Sequence, residues 1–176
     1  TQVTVEISGA PTALLVEIDH DKGCCKTQMP LLNREDTIRY EDVSYSVMVF
    51  DGIVHLIVPG KPRNEAFVRG LLAHARTKFC SDAYGVMFLE GSGTLVPVVY
   101  VVNTDSLIWE SSCGSGSMAC AAFLALREKD GIHCYSFAQP GGTIDAEVAT
   151  EHNIVTLCKM GGPVCLSDEI VLTLDD

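Results

Sequence analysis

Basic side chains are scarce in this sequence. Lys and Arg number 12 against 23 Asp and Glu in 176 residues, a formal net charge of −11. Gripping a nucleic-acid backbone takes Lys and Arg gathered on one face to neutralise phosphates, and here they are too few and too scattered. A nucleic-acid partner is therefore not expected, and an anionic membrane surface is disfavoured for the same reason. Long apolar runs are lacking as well. None approaches the roughly 20 residues of a membrane span, and no signal-peptide pattern opens the chain. The 8 cysteines contain no C-x-x-C spacing, and the adjacent Cys24 and Cys25 are badly placed to bridge to each other. Zinc-ribbon and knottin frameworks drop out on that count. His20, His74, His133 and His152 lie without metal-ligand spacing, so no metal is expected. Free thiols in a reducing cytosol fit this usage. The first residue is Thr1 rather than Met, which reads as a processed product or an excised fragment.

What the chain has in quantity is apolar alternation. Hydrophobic residues make up 47% of it, which places it among globular proteins with enough length for one sizeable domain or two small ones sharing a core. "VTVEIS", "ALLVEI", "VSYSVMVF", "IVHLIV", "YGVMFLE", "LVPVVYVV", "TIDAEVA", "NIVTLCKM" and "EIVLTL" each read as strands, separated by turn signals such as "DHDKG", "EGSG" and "QPGG". Pro97 marks its strand as an edge or a bulge. Two stretches read as helices. Residues 61–79 carry Pro62 near the start and Phe67, Leu71, Leu72 and Ala75 along one face, the pattern of an amphipathic helix. The second, 114–129, is apolar on all sides from Met118 to Leu126 except for the thiol of Cys120. Arg127 and Lys129 fall in its last turn, and "DG" at 130–131 supplies a stop. Many antiparallel strands with one half-wet and one dry helix give an α+β domain, a curled sheet around a central buried helix.

Cys113 sits at the mouth of that dry helix, in "SSCGSGS". Unpaired N–H groups and the helix dipole at this end favour negative charge, and can bring a thiol down from about 8.5 into the range of roughly 3.5–7.5. Gly114, Ser115 and Gly116 allow backbone amides to close on a carboxylate. A thiolate beside a gripped α-carboxylate is placed to take the α-proton of an amino acid. The same stretch also reads as a plain loop and cap, with the cysteine a small hydrophobe. Glu110, three residues earlier, reads either as an acid complementing the helix dipole or as a group recognising the substrate amine. His55, in an alternating strand, reads either as a core histidine or as a pocket residue. "QPGG" (139–142) reads first as a turn needing positive φ.

Taken together, "VHLIVPG", "SLIWESSCGSGSMACAAFLAL", "QPGG" and "GGPV" resemble the diaminopimelate-epimerase-like superfamily of cofactor-independent amino-acid racemases and epimerases. Within it they look most like the histidine racemase branch that feeds staphylopine-type metallophore synthesis. The similarity runs from about Val3 to the C-terminus. It implies two pseudo-symmetric halves, each a curled antiparallel sheet around a central helix with a catalytic cysteine at its mouth. One thiolate removes the α-proton, and the opposing thiol reprotonates the other face. By this resemblance Cys113 is the acid/base of the second half, Gly114, Ser115 and Gly116 hold the substrate carboxylate, and Glu110 and His55 line or support the pocket. It implies no cofactor, an amino-acid substrate and a cytoplasmic enzyme.

The first half's C-G-N-G-like motif has no counterpart in this chain. Cys24 and Cys25 resemble a first-half hairpin, Cys80 follows a surface helix, and Cys134, Cys158 and Cys165 fall in strand-like segments. The chain therefore reads as the C-terminal two-thirds of such an enzyme, with the second cysteine outside it. Residues 1–34 would be remnant strands of the first half, 35–166 the second half, and 167–176 a strand returning to the first. Uncovered Val3, Val5, Ile7, Leu14, Val16, Ile170 and Leu172 would then seek a partner, either a second copy of the chain or the missing segment. Three other readings stay open: a diaminopimelate epimerase, a cysteine amidase pairing Cys113 with His55, and a non-catalytic carboxylate-binding module.

Overall fold

The computed structural model describes residues 1–6, 13–165 and 168–171. They begin with β1 (Gln2–Val5), β2 (Leu14–Asp19), β3 (Cys24–Gln28), β4 (Arg34–Tyr40), β5 (Val43–Phe50) and β6 (Ile53–Pro59). Helix α1 (Glu65–Arg76) leads to β7 (Ala83–Glu90), β8 (Thr94–Val101) and β9 (Ser106–Trp109). Helix α2 (Gly114–Ala125) is followed by β10 (Gly131–Gln139), β11 (Gly142–Glu151) and β12 (Ile154–Pro163). The strands hydrogen-bond in the order β1-β2-β3-β12-β11-β10-β8-β7-β6-β5-β4, with β9 added to β8, so the sheet is unclosed and ends on β1 and β4.

Alternation decides which residues face which helix. In β5, Tyr45 and Val47 join the core under α1, while Met48 and Phe50 join the core around α2. Successive side chains on a strand point to opposite faces, so β5–β8 carry the α1 core on one side and the α2 core on the other. α1 is capped by Asn64, whose side chain accepts from Phe67 N–H at 2.9 Å, and buries Phe67, Val68, Leu71, Leu72 and Ala75. That is the face expected from the sequence.

α2 touches β5, β6 and β7 as well as β10, β11 and β12. Laid flat at about 4.8 Å per strand, β12 to β5 would span on the order of 29 Å, far wider than a helix of roughly 10–12 Å. The sheet must therefore fold over α2. It does so where β8 and β10 meet, which they do through one parallel pair, Ala138 with Thr94. Pro97 lies just past that point, where β8 passes from β10 to its β9 pairing beginning at Val98. The missing N–H of Pro97 accordingly falls where the ladder changes partner.

Several expectations need correcting. α2 ends at Ala125, with Leu126 as its cap, instead of running to 129. The chain winds on through tighter turns, Arg127 N–H to Leu124 O and Glu128 N–H to Ala125 O, each 3.0 Å. Asp130 does not stop the helix; its carboxylate accepts from His152 and Asn153 N–H, fixing the β11–β12 turn. β3 and β10 were anticipated only as the hairpin at Cys24–Cys25 and the strand-like segment at Cys134; β4 and β9 were not foreseen, since β4 opens on polar Arg34, Glu35, Asp36 and Thr37 and β9 has only 4 residues. Of "EIVLTL", Glu169, Ile170 and Val171 are exposed and not in a strand; the remainder lies outside the described residues, as does Ile7. Val3 and Val5 on β1 are exposed, as expected for an uncovered edge.

Candidate active site

Cys113 is the N-cap residue of α2, extended at φ −135° and ψ 109°. Its Sγ accepts from Gly116 N–H at 3.4 Å and lies 3.6 Å from Ser115 Oγ. A small bonded circuit fixes the turn behind it. Cys113 N–H donates to Gln139 Oε1 at 2.8 Å, Gln139 Nε2 donates to Ser117 Oγ at 2.9 Å, and Ser117 Oγ donates to Cys113 O at 2.7 Å. Gln139 and Ser117 are buried. Neither was picked out from the sequence. The signals were there, in the hydroxyl just before the apolar run and in the amide opening "QPGG", but only the fold shows them facing each other. The QPGG turn is thus more than a turn: Gly141 N–H donates to Ser111 O at 2.6 Å, and a Cβ at Gly141 would stand 2.9 Å from that of Ser111.

The first-turn amides of α2 divide into two groups. Those of Gly116 and Ser117 are used by Cys113 Sγ and Cys113 O, whereas those of Gly114 and Ser115 have no acceptor among the described residues. Two adjacent unpaired donors at the positive end of a helix can hold a carboxylate. The glycines also serve packing. A Cβ at Gly114 would lie 2.5 Å from Met160 Sδ, and one at Gly116 2.2 Å from Met87 Sδ.

Cys113 is not the activated thiolate that its place on the helix suggested. It is only 6% exposed. Burial first, and the neighbouring Glu110 carboxylate accepting from the thiol second, push it up to about 11, against smaller opposing bonds from Ser115 and the Gly116 amide. Desolvation of a would-be thiolate beside a carboxylate outweighs the helix end. Glu110 is tied to the site on both sides, since its own N–H donates to Pro97 O at 3.0 Å.

His55 does not line an open pocket. It is 0% exposed, packed edge-on to Phe50, and neither ring nitrogen has a partner among the described residues. It fits because β7 carries glycine beside it; a Cβ at Gly85 would stand 2.2 Å from His55 Nδ1. Burial lowers its pKa to about 3. No bond links it to Cys113, so the Cys–His pair of an amidase is not assembled.

A cavity of about 330 Å³ opens beside this turn, lined in part by Ser112, Gly141 and Met160. A larger one, about 740 Å³, gathers around the β2–β3 hairpin and includes neither Glu110 nor any residue of 113–116. The smaller cavity likewise includes none of them, but it reaches the turn through Ser112 and through Met160, which lies against Gly114.

Residues 1–169 match the family model described as the histidine racemase CntK N-terminal domain. The chain belongs to that family. It is 30% identical over 151 residues to a histidine racemase of Staphylococcus aureus strain Mu50, covering 81% of this chain and 55% of the relative. It is 24% identical over 149 residues to a histidine racemase of Fusobacterium nucleatum, covering 80% and 56%. A solved hydroxyproline epimerase from Agrobacterium vitis has the same fold, with a TM-score of 0.58 at 12% identity over 93% of this chain and 56% of that one. The chain thus spans about half the length of the relatives it matches. The matched model is described as that of an N-terminal domain, where the sequence alone reads as the C-terminal two-thirds of such an enzyme.

Two outcomes follow from the site. At pH 7, iodoacetamide should label exposed Cys80 and Cys134 faster than Cys113 by at least about tenfold, read by peptide mass spectrometry. Preferential labelling of Cys113 would overturn the buried-thiol picture. His55 has a folded pKa below its unfolded one, so the unfolded chain binds the extra proton. Its contribution is fully present above about pH 6.5 and is lost as pH falls toward 3, at up to ~1.4 kcal/mol per pH unit. Urea titrations of the wild type and His55→Phe across that window should show this slope shrinking in the variant.

Proposed function

We propose that this chain is part of a cofactor-independent amino-acid racemase of the histidine racemase kind, working by a two-thiol mechanism in which Cys113 is one acid/base. The observation that carries the reading is the geometry of the α2 mouth. One cysteine side chain sits on the turn whose Gly114 and Ser115 amides are unpaired. A carboxylate on those amides would bring the α-carbon of an amino acid to the thiol.

Held as a neutral thiol at neutral pH, Cys113 suits the acid step. An opposing thiolate takes the α-proton, leaving a planar carbanion, and Cys113 S–H delivers its proton to the other face of that carbon. The bond broken is Cα–H on one face and the bond formed is Cα–H on the other, with Cys113 left as thiolate and the opposing group as thiol. Glu110 keeps the resting proton on Cys113 by accepting from it, and is also the nearest candidate for the substrate ammonium. The second thiol is assigned to the part of the protein beyond these residues, together with the remainder of a diaminopimelate-epimerase-like fold. That part, or a second copy of the chain, is the partner we expect at the open β1 edge, where Val3 and Val5 are exposed. A cytoplasmic setting and a role in metallophore synthesis belong to the same reading. A diaminopimelate epimerase is the runner-up, and a carboxylate-binding module without chemistry remains the reading to which failed catalysis would point.

In the full-length protein, Cys113→Ser should lower racemisation of L-histidine by at least about 1,000-fold, since a hydroxyl is far too weak an acid, with folding retained by circular dichroism. Activity within tenfold of wild type would remove Cys113 from the mechanism. Residues 1–176 alone should show no racemisation of L-histidine or diaminopimelate by chiral chromatography, because deprotonating an α-carbon needs a base on one face and an acid on the other. Turnover by the isolated chain would mean that both groups lie within it.

A further inference from the structure

The cavity of about 330 Å³ beside the α2 mouth is walled by Cys25, Thr27, Ser112, Ile144 and Met160, and by the backbone of Gly141–Gly142 and Gly161–Gly162. Strand register puts it on the α2 side of the sheet. Thr27 pairs with Met160, which packs against the α2 core, and Ile144 pairs with Phe137 inside that core. Met160 reaches the helix mouth itself, where its sulfur fills the space that a Cβ on Gly114 would need. The unpaired Gly114 and Ser115 amides and the cavity are therefore neighbours. Its volume is at the lower end of the range for small-molecule sites.

Its chemistry is selective. No Asp, Glu, Lys, Arg or His among the described residues lines it. A distal ammonium or carboxylate entering it would lose water and meet no opposite charge. An uncharged polar group would fare better. Among the described residues the Thr27 hydroxyl is held by one long 3.5 Å bond to Leu15 O, and so is available to a new partner.

We infer that this cavity is the side-chain subsite for the amino acid bound at the α2 mouth, and that Thr27, Ile144 and Met160 select uncharged side chains of moderate size. The inference rests on the racemase reading given above. With the carboxylate on the Gly114 and Ser115 amides and the α-carbon at Cys113, the side chain passes over Met160 toward Thr27.

The test uses the full-length protein and follows solvent-deuterium incorporation at the α-carbon of L-histidine, L-alanine and L-lysine. Met160→Trp should fill the space, lowering kcat/KM for histidine relative to alanine by about tenfold or more. Thr27→Asp should supply the missing counter-charge and shift the lysine-to-histidine ratio toward lysine by about tenfold. Unchanged ratios in both variants, with circular dichroism showing them folded, would overturn the subsite while leaving the racemase reading intact. If the wild type exchanges no α-proton, that reading fails, and binding is then read directly. Adding L-histidine should move the methyl resonances of Met160 and Ile144 while leaving those of core Met48 and Met118 in place. No movement at Met160 and Ile144 would overturn the subsite as well.

Discussion

The twelve residues of α2 have no polar stripe, and a helix of that kind is stable only where protein covers every side of it. Most of the architecture answers to this constraint. Alanines along its length (Ala119, Ala121, Ala122 and Ala125 are all fully buried) let strands approach closely from β5–β7 on one side and β10–β12 on the other. The sheet can supply both walls only by folding over at the β8–β10 bridge. Pro97 stands beside the place where the ladder is interrupted.

Covering the helix leaves its ends as the exits from the core, and the N-terminal one is elaborated. A turn buried on three sides still has backbone groups to satisfy. Gln139, from the end of β10, supplies an acceptor to Cys113 N–H and a donor to Ser117, tying the turn to a strand that follows it in the chain. The same enclosure sets the state of the thiol. A helix end favours a thiolate by its local dipole and by the Gly116 amide, but burial and the Glu110 carboxylate act the other way, and burial prevails. A neutral thiol is the resting form that results.

At the other end of the sheet the enclosure stops. β1–β3 extend β12 with no helix of the described residues against them, and the sheet ends on β1 with Val3 and Val5 exposed.

Local pattern accounts for what could be read in advance. Alternation gave eight of the strands because apolar residues at every second position have a single sensible orientation. The amphipathic face of α1, the buried character of α2 and the position of Cys113 at its start were legible for the same reason, since each depends on neighbours within a few residues. β4 and β9 were not legible, because β4 is polar along its first residues, Arg34, Glu35, Asp36 and Thr37, and β9, at 4 residues, is too short to show a period. The length of α2 was misjudged, since Asp130 could not be seen to serve the distant His152–Asn153 turn. Sequence by itself determined eight of the strands by their alternation, the characters of both helices, the helix-mouth cysteine and the family. The tertiary structure decided that His55 is buried against Gly85 rather than in a pocket, that Gln139 belongs to the site, and that Cys113 is held as a thiol. Burial and hydrogen-bond partners are sums over residues far apart in the chain, and no window along the sequence contains them.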